Sequence, residues 1–582
     1  MRDILRQIWR FLRIAASGPG SLLSLTLVAI VIACQLAGIQ VGLRLIQWYA
    51  DFYNALQKLD ATAAVNQMGV FTLLIGTSAL LFLVSQFLRK TVQLRWRRRL
   101  TDVLLSSWTA HHGYWMLDPG LGDRRSVDNP DQRISEDANL FLASLLGGEG
   151  ARTGVLDFIM NLIGLFSYGA LLWQLSTFDL SFSLFGHDFV IPKYMFWIAP
   201  VYVLIATFLT HVLGRELPGL LAEEQKREAD FRFALMRIRE NASAIALSRG
   251  ETAERRILST RFEGIVDIWR SVIRREFIYG LFQRPYFQTV LRIPMFFALP
   301  AFLAGKVTLG GLMQIAQAFQ HVVTTLSWFI FYYKFVSDLV ATTRRLDFFY
   351  NATEATAAGH SGPVRSTSAD GAFRVAKLVI RTPDGRPLLA IDDLTITHGR
   401  TVWLRGASGL GKSTLFKALA GLWPHASGTV EMPPGRILFL PQQVYLPLDT
   451  LAAAAIYPSL PGTMAQSDVD ALLHTVGLGH RFGTDETSGL SIGEQQRLAL
   501  ARVIAARPDW VFLDEATSAL DLDSERRLMT LLRNELPDAT LVIVAHREPH
   551  GLTDVVRIEL SGVDAPSGSE GPIETRVVAR TA

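Results

Sequence analysis

From Leu22 to Leu43 the chain runs for 22 residues without a charged side chain. A helix needs about 20 apolar residues to cross a bilayer core. That stretch therefore constrains the N-terminal part more than any other feature. Further apolar stretches follow, and we expect six spans: 22–48, 68–88, 153–175, 194–213, 277–304 and 307–333. Mean hydropathy is +0.25 although 19% of residues are charged, because the apolar excess is confined to the first 340 positions. The expected fold is multidomain. An all-α six-helix transmembrane domain occupies 1–340, a linker 341–372, an α/β domain 373–561 and a disordered tail 562–582.

The charge pattern orients the spans. Arg2, Arg6, Arg10 and Arg13 line one side of an amphipathic N-terminal helix, with Leu5, Ile8, Trp9 and Leu12 on the other, a pattern suited to a membrane surface. With the run that follows it could pass for a signal peptide; further spans favour a retained anchor. The segment 89–152 carries ten Lys/Arg and 215–276 carries thirteen, whereas 51–66, 178–193 and 305–306 hold one lysine each. This alternation predicts a multi-pass inner-membrane protein with both termini and the second domain in the cytoplasm. The helical patterns Arg95–Trp108 and Glu223–Arg249 predict long cytoplasmic extensions of the spans. A net charge of +4 gives no nucleic-acid footprint, and the single cysteine, Cys34, can build neither a disulfide framework nor a Cys-based metal site.

Polar residues within spans default to functional hypotheses. Arg284 and Arg292 fall near one face of the fifth span; Gln314, Gln317, His321 and Thr324 form a stripe on the sixth. These six are the candidate substrate cavity. The competing reading is helix–helix hydrogen bonding, with Asp157 of the third span paired to Arg284 and His321 a bundle contact.

In the second half, Gly406-Ala407-Ser408-Gly409-Leu410-Gly411-Lys412-Ser413-Thr414 fits G-x-x-x-x-G-K-[ST] between an apolar strand and an amphipathic helix. Glycines let backbone N–H groups close around phosphate oxygens, and the helix N-terminus favours an anion. Lys412 is placed to bridge the β- and γ-phosphates and Ser413 to ligate Mg²⁺. Four further elements follow: a strand ending at Gln442, a Leu490-Ser491-Ile492-Gly493-Glu494 segment opening a helix, a strand ending in Asp514-Glu515 and a strand ending in His546. A carboxylate at a strand end beside the loop can hold Mg²⁺, and the next one can take a proton from attacking water.

Together these segments resemble the nucleotide-binding domain of ATP-binding cassette (ABC) transporters, of which LS-x-G is a distinguishing signature. The resemblance implies ATP and Mg²⁺ as cofactors. It implies Glu515, His546 and Lys412 as catalytic residues, with Ser413, Gln442 and Asp514 at the metal. It also implies a head-to-tail homodimer in which Ser491, Gly493 and Glu494 meet the partner's nucleotide, and Gln442 and Asp521 act between domains or sites. The chain departs from the family in Ile492 and Glu494, where Gly and Gln are commoner. It also lacks an aromatic at Arg381–Gly385, where adenine usually stacks. WYADFYNALQ (48–57), NPDQRISED (129–137), READFRFALMRIRENASAIA (227–246) and TLGGLMQIAQAF (308–319) resemble the SbmA/BacA-like half-transporters and, more distantly, the peroxisomal subfamily D. That resemblance implies ATP-driven movement of a bulky polar solute such as a peptide, a bleomycin-like compound or cobalamin, with uptake expected despite an exporter-type fold. The alternatives are export of a lipid-like or acyl-CoA-like compound, a proton-coupled carrier with a regulatory motor, and a membrane-bound regulatory ATPase that moves nothing.

Overall fold

The computed structural model describes residues 2–121, 127–147, 154–184, 187–290, 292–357, 362–481, 489–560 and 578–579. The chain divides into two compact units. One comprises Met1–Ser106 with Asn129–Phe349, the other Ser107–Asp128 with Tyr350–Ala582.

The first unit is helical. Its main elements are α1 (Arg2–Ala16), α2 (Ser21–Gln57), α3 (Ala61–Thr109), α4 (Val155–Leu175), α5 (Tyr194–Gly214), α6 (Leu217–Glu240), α7 (Glu251–Val290), α8 (Ile293–Leu303) and α9 (Leu309–Ala357). Pro294 in the first turn of α8 fits a helix start, where its missing N–H is no loss. Between α4 and α5 the strands Leu180–Leu184 and His187–Ile191 pair antiparallel. Among the described residues, five helical stretches are long and apolar enough to cross a membrane: Ser21–Gln57, Ala61–Met116, Val155–Leu175, Tyr194–Gly214 and Glu251–Leu303. The sixth expected span lies in α9, which is not among those five; Gln314, Gln317, Gln320 and His321 dilute its apolar content. Its packed face is nevertheless apolar: Leu312, Ile315, Phe319, Val322 and Val323 are buried in one core with residues of α4, α5 and α8.

Two ion-pair sites anchor this unit. Asp157 bonds Arg89 at 2.8 Å, and the Arg89 side chain is 4% exposed. Asp157 also accepts from Gly154 N at 2.9 Å, closing the first turn of α4. The Asp157–Arg284 pair of the competing reading is not formed: Arg284 is exposed on α7, and a cation of α3 takes its place. Asp137, in the NPDQRISED segment, receives Arg133 at 2.8 Å and the fork of Arg345 at 2.7 and 2.9 Å. The amphipathic α1 packs inward through Phe11, whose ring meets Phe141 edge-on at 5.8 Å. Gln7 and Arg10 of α1 bond Asp347 of α9. Leu5 and Trp9 remain exposed.

Part of the stretch expected as a linker is regular structure. Helix α9 continues to Ala357, because 341–357 lacks Pro and Gly and buries Leu346, Phe349 and Ala352. Most of the expected tail lies outside the described residues; Val578–Ala579 pairs with a neighbouring strand.

The second unit is built on two sheets. Among the described residues its strands are β1 (Val364–Thr367), β2 (Phe373–Arg381), β3 (Pro387–Ile396), β4 (Thr401–Arg405), β5 (Ala426–Met432), β6 (Ile437–Leu440), β7 (Trp510–Asp514), β8 (Thr540–Val544), β9 (Val555–Glu559) and β10 (Val578–Ala579). The smaller sheet runs β1-β5-β2-β3 and the larger β10-β9-β4-β8-β7-β6. In the larger sheet β4 lies between β8 and β9, and β8 pairs with β7, all parallel. Strands β7 and β8 are buried at every position, as expected of parallel strands covered on both faces. One face packs on the core of Leu498, Leu500, Val503 and Leu528, the other on that of Leu415, Phe416 and Leu419. The carboxyl ends of β4, β7 and β8 therefore share one edge, where open α/β sheets bind ligands.

Candidate nucleotide site

The phosphate loop leaves β4 at Arg405 and enters the helix Lys412–Leu419. Gly409 and Gly411 have φ of +81° and +89°, which side-chain-bearing residues rarely adopt. Gly406 is required by packing instead: a Cβ there would lie 2.9 Å from Leu410 Cδ2 and 3.0 Å from Leu560 O. Ala407, Ser408, Gly409 and Ser413 are exposed; Leu410 and Thr414 are half-buried. Lys412 is buried, and its ammonium donates to Gly406 O at 2.7 Å and Ala407 O at 3.0 Å. The loop thus has the shape of a cradle, with its cation folded against the loop's own carbonyls.

Asp514 closes β7, and Glu515 follows it in a left-handed conformation with φ +50°. Burial pushes the Asp514 carboxyl above its ordinary range against a hydrogen bond from Ser413, and the Glu515 charge adds to the rise. Oδ1 of Asp514 is buried without a protein partner. A buried, unpaired carboxylate oxygen next to a serine hydroxyl suits a hard divalent cation. The residues present therefore fit Mg²⁺. The Glu515 carboxylate accepts from Gln442 Nε2 at 2.9 Å and lies 2.9 Å from His546 Nε2. Hence the structure gathers Gln442, Asp514, Glu515 and His546 with the loop, from three strand ends.

The signature helix runs Ile492–Ala506, capped by Ser491. Ser491 and Ile492 are exposed; Gly493 is half-buried. Glu494 N donates to Ser491 Oγ at 3.3 Å, and Ser491 N donates to Glu494 Oε2 at 2.8 Å, a reciprocal capping box. Asp521 caps the next helix, Leu522–Glu535, by accepting from Ser524 N at 2.8 Å.

Several residues here were not singled out by sequence. Gln496, 2% exposed, donates to Ser518 Oγ at 3.1 Å and accepts from Ala519 N at 2.9 Å. It ties the signature helix to the turn after Glu515. Arg547 lies 3.0 Å from buried Glu525, which also accepts from Thr517 Oγ1 at 2.9 Å. The segment 107–121 belongs to this unit: Trp115 Nε1 donates to Leu422 O at 2.8 Å, and Lys417 lies 5.0 Å from the Trp115 ring centre. Gln496 and Arg547 lie within the segments LSIGEQQR and AHR, whose residue types do not disclose these partners, and a tryptophan in charged context carries no motif signal. Where an adenine-stacking aromatic is absent, Thr382–Arg386 forms a tight turn between β2 and β3, with Gly385 at φ +85°. For Gln496→Leu we expect the unpaired Ala519 N–H to cost about 1–3 kcal/mol of cassette stability. Denaturant unfolding of the purified chain checks this; an unchanged midpoint would remove the assigned role.

The six residues of the candidate substrate cavity differ in their surroundings within this chain. Arg284, Arg292 and Thr324 are exposed; Gln317 is half-buried. His321 stacks on Tyr168 at 4.6 Å and 14°, the geometry of a bundle contact. Gln314 lines a cavity of about 470 Å³ with Gln40, Arg44, Gln47, Ser167 and Gln174.

Comparison with known proteins follows the same division. Residues 12–303 match the family described as ABC transporter transmembrane region 2, and residues 389–518 match that described as ABC transporter. The chain is 34% identical over 529 residues to the Escherichia coli (strain K12) inner membrane ABC transporter ATP-binding protein YddA, covering 90% of this chain and 92% of that protein. It is 27% identical over 590 residues to the human lysosomal cobalamin transporter ABCD4, covering 93% and 92%. It is 26% identical over 589 residues to the Arabidopsis thaliana ABC transporter D family member 2, chloroplastic, covering 88% and 79%. A bacterial Atm1-family ABC exporter solved with ATP bound has a TM-score of 0.67 at 16% identity, covering 92% of this chain and 93% of that one.

Proposed function

Because the chain belongs to the ABC transporters, as a half-transporter with fused transmembrane and nucleotide-binding regions related to subfamily D, we propose that it is an SbmA/BacA-like homodimeric importer of a bulky polar solute. It is a multi-pass membrane protein and hydrolyses ATP. We assign residues 1–340 to the membrane region and 373–561 to a cytoplasmic cassette, with both termini on the same side.

In this reading Lys412 turns from its loop carbonyls to the β- and γ-phosphates, cradled by Gly406 to Thr414. Ser413, Gln442 and Asp514 would hold Mg²⁺, which would neutralise charge developing on the phosphates. Glu515 accepts the proton of the attacking water while Gln442 and His546 hold its carboxylate in place. His546 would touch the γ-phosphate from the opposite side. Ser491, Gly493 and Glu494 of one chain complete the partner's site, which requires a twofold assembly. Asp521 positions the turn between the sites by capping its helix.

The observation that carries the substrate class is the cavity at Gln314. Its polar lining, Gln40, Arg44, Gln47, Ser167 and Gln174, lies on helices that read as spans. An acyl chain needs an apolar groove; amide-rich walls and a guanidinium suit a hydrogen-bonding solute such as a peptide or cobalamin. The human relative's name as a cobalamin transporter supports the same class. Arg292 and Gln317 join this surface in the proposed dimer.

The test is uptake of labelled cobalamin and of a labelled peptide by proteoliposomes, with ATPase measured alongside. Arg44→Ala, Gln314→Ala, Gln317→Ala and Arg292→Ala are expected to lower uptake, with ATPase not stimulated by solute. Solute-independent ATPase without any uptake would favour the regulatory reading. Normal uptake by all four variants would return these residues to helix packing.

A further inference from the structure

The signature segment carries a carboxylate where a phosphate is to be recognised. Glu494 lies in the first turn of its helix, and its Oε2 accepts from Ser491 N at 2.8 Å and from Ser491 Oγ at 2.9 Å. The one hydroxyl proton of Ser491 therefore points to an anion of its own chain. A carboxylate next to an exposed serine at a helix N-terminus offsets the positive end of the helix dipole. It would also repel a γ-phosphate approaching Ser491.

Arg481 removes this conflict. Its Nε donates to Glu494 Oε1 at 2.9 Å and its Nη2 to Oε2 at 3.1 Å, while His480 Nε2 lies 3.0 Å from Oε1. The Glu494 side chain is 13% exposed. The fork spans both oxygens, so charge and orientation are fixed together. With the guanidinium in place, Arg481 holds the Glu494 carboxyl at about 2, helped by the Ser491 N–H.

We propose that Arg481 is a positioning residue for nucleotide engagement across the dimer. It neutralises and orients Glu494, so that Ser491 can be turned from Glu494 to the partner's γ-phosphate without a facing negative charge. This rests on the reading that Ser491 meets the partner's nucleotide. Arg481 itself touches no nucleotide; its influence passes through Glu494.

The experiment is a double-mutant cycle on the full-length chain in lipid discs, read as the ATP concentration for half-maximal hydrolysis and as maximal rate. Arg481→Ala is expected to raise the half-maximal ATP concentration on the order of tenfold, the scale of losing one charge-assisted contact, with a smaller change in maximal rate. Arg481→Lys, which keeps charge but not the fork, should fall between. In the Glu494→Gln background the same Arg481→Ala change should shift ATP dependence by less than about twofold, since no carboxylate remains to be neutralised. Equal shifts in both backgrounds, or none in either, would overturn the proposal. Ser491→Ala separates the two readings. If it leaves ATP dependence unchanged, engagement across the dimer fails; if it raises it while the cycle shows no coupling, only the role of Arg481 fails. The melting temperature of each variant without nucleotide excludes simple unfolding as the cause.

Discussion

Replacing Glu515 by glutamine is expected to slow ATP turnover at least ~100-fold, the scale of losing a general base, while leaving ATP binding intact. Glu515 leaves the fully buried strand β7 in the left-handed region, at φ +50°. A non-glycine residue held there costs on the order of 1–3 kcal/mol and persists only where its surroundings enforce it. Here the backbone N–H donates to Val544 O at 2.9 Å. The carboxylate is held from both sides, by Gln442 and His546. One carboxylate oxygen thus faces Gln442 and the other His546. Glutamine keeps the size of the side chain but not its basicity, so the phosphate cradle and Asp514 remain as they are. With ATP and without hydrolysis, the cassettes of two chains should stay associated, which a distance measurement between labelled cassettes in discs would detect as a persistently closed pair. Turnover within a few-fold of wild type would remove Glu515 as the base.

What the sequence disclosed depends on how local the signal is. The phosphate loop, the Asp514–Glu515 pair and the signature helix are contiguous segments whose residue types report their own backbone geometry, and strand and helix form around them as expected. The span expectations mark only the lipid-suited part of longer helices: α2 is 37 residues and α3 is 49, because helicity continues into charged sequence that hydropathy does not register. Helix α9 inverts the case, since its glutamines lower hydropathy while one face stays buried. Through-space partners were not legible. Asp157 had several cations at a similar depth, and nothing in the spacing distinguishes Arg89 from Arg284. The partners of Gln496 and Arg547 emerge only when the turn after Glu515 is seen folded against them. The same holds for Arg481, whose partner is thirteen positions away.

The Asp137 site gives the NPDQRISED segment a physical reason, and with it the largest stability effect we expect. The Asp137 side chain is 2% exposed and carries a full charge between Arg133 and Arg345. Asp137→Asn keeps its shape but leaves two guanidinium groups facing a neutral amide. Breaking a buried pair costs ~3–5 kcal/mol. Arg345, 40% exposed, regains some solvation, which places the expected loss near the lower end, about 3 kcal/mol. An apparent melting temperature lower by several degrees in discs at neutral pH would follow. The acid dependence supplies an independent check. Burial by itself raises the carboxyl, yet the hydrogen bonds from Arg345 and Arg133 outweigh it, and Asp137 titrates below its ordinary range. A depressed folded-state value means that its stabilisation is present above the unfolded value, about 3.9. It is lost as pH falls through the folded value. The wild-type chain should therefore lose stability below about pH 4 by a component that the asparagine variant lacks. The two melting curves should converge as the medium is acidified, with ATP omitted so that the cassette site does not contribute. Equal melting of the two proteins at neutral pH would mean that Arg133 and Arg345 are solvated well enough without Asp137, and that the segment 129–137 is held by its apolar contacts alone.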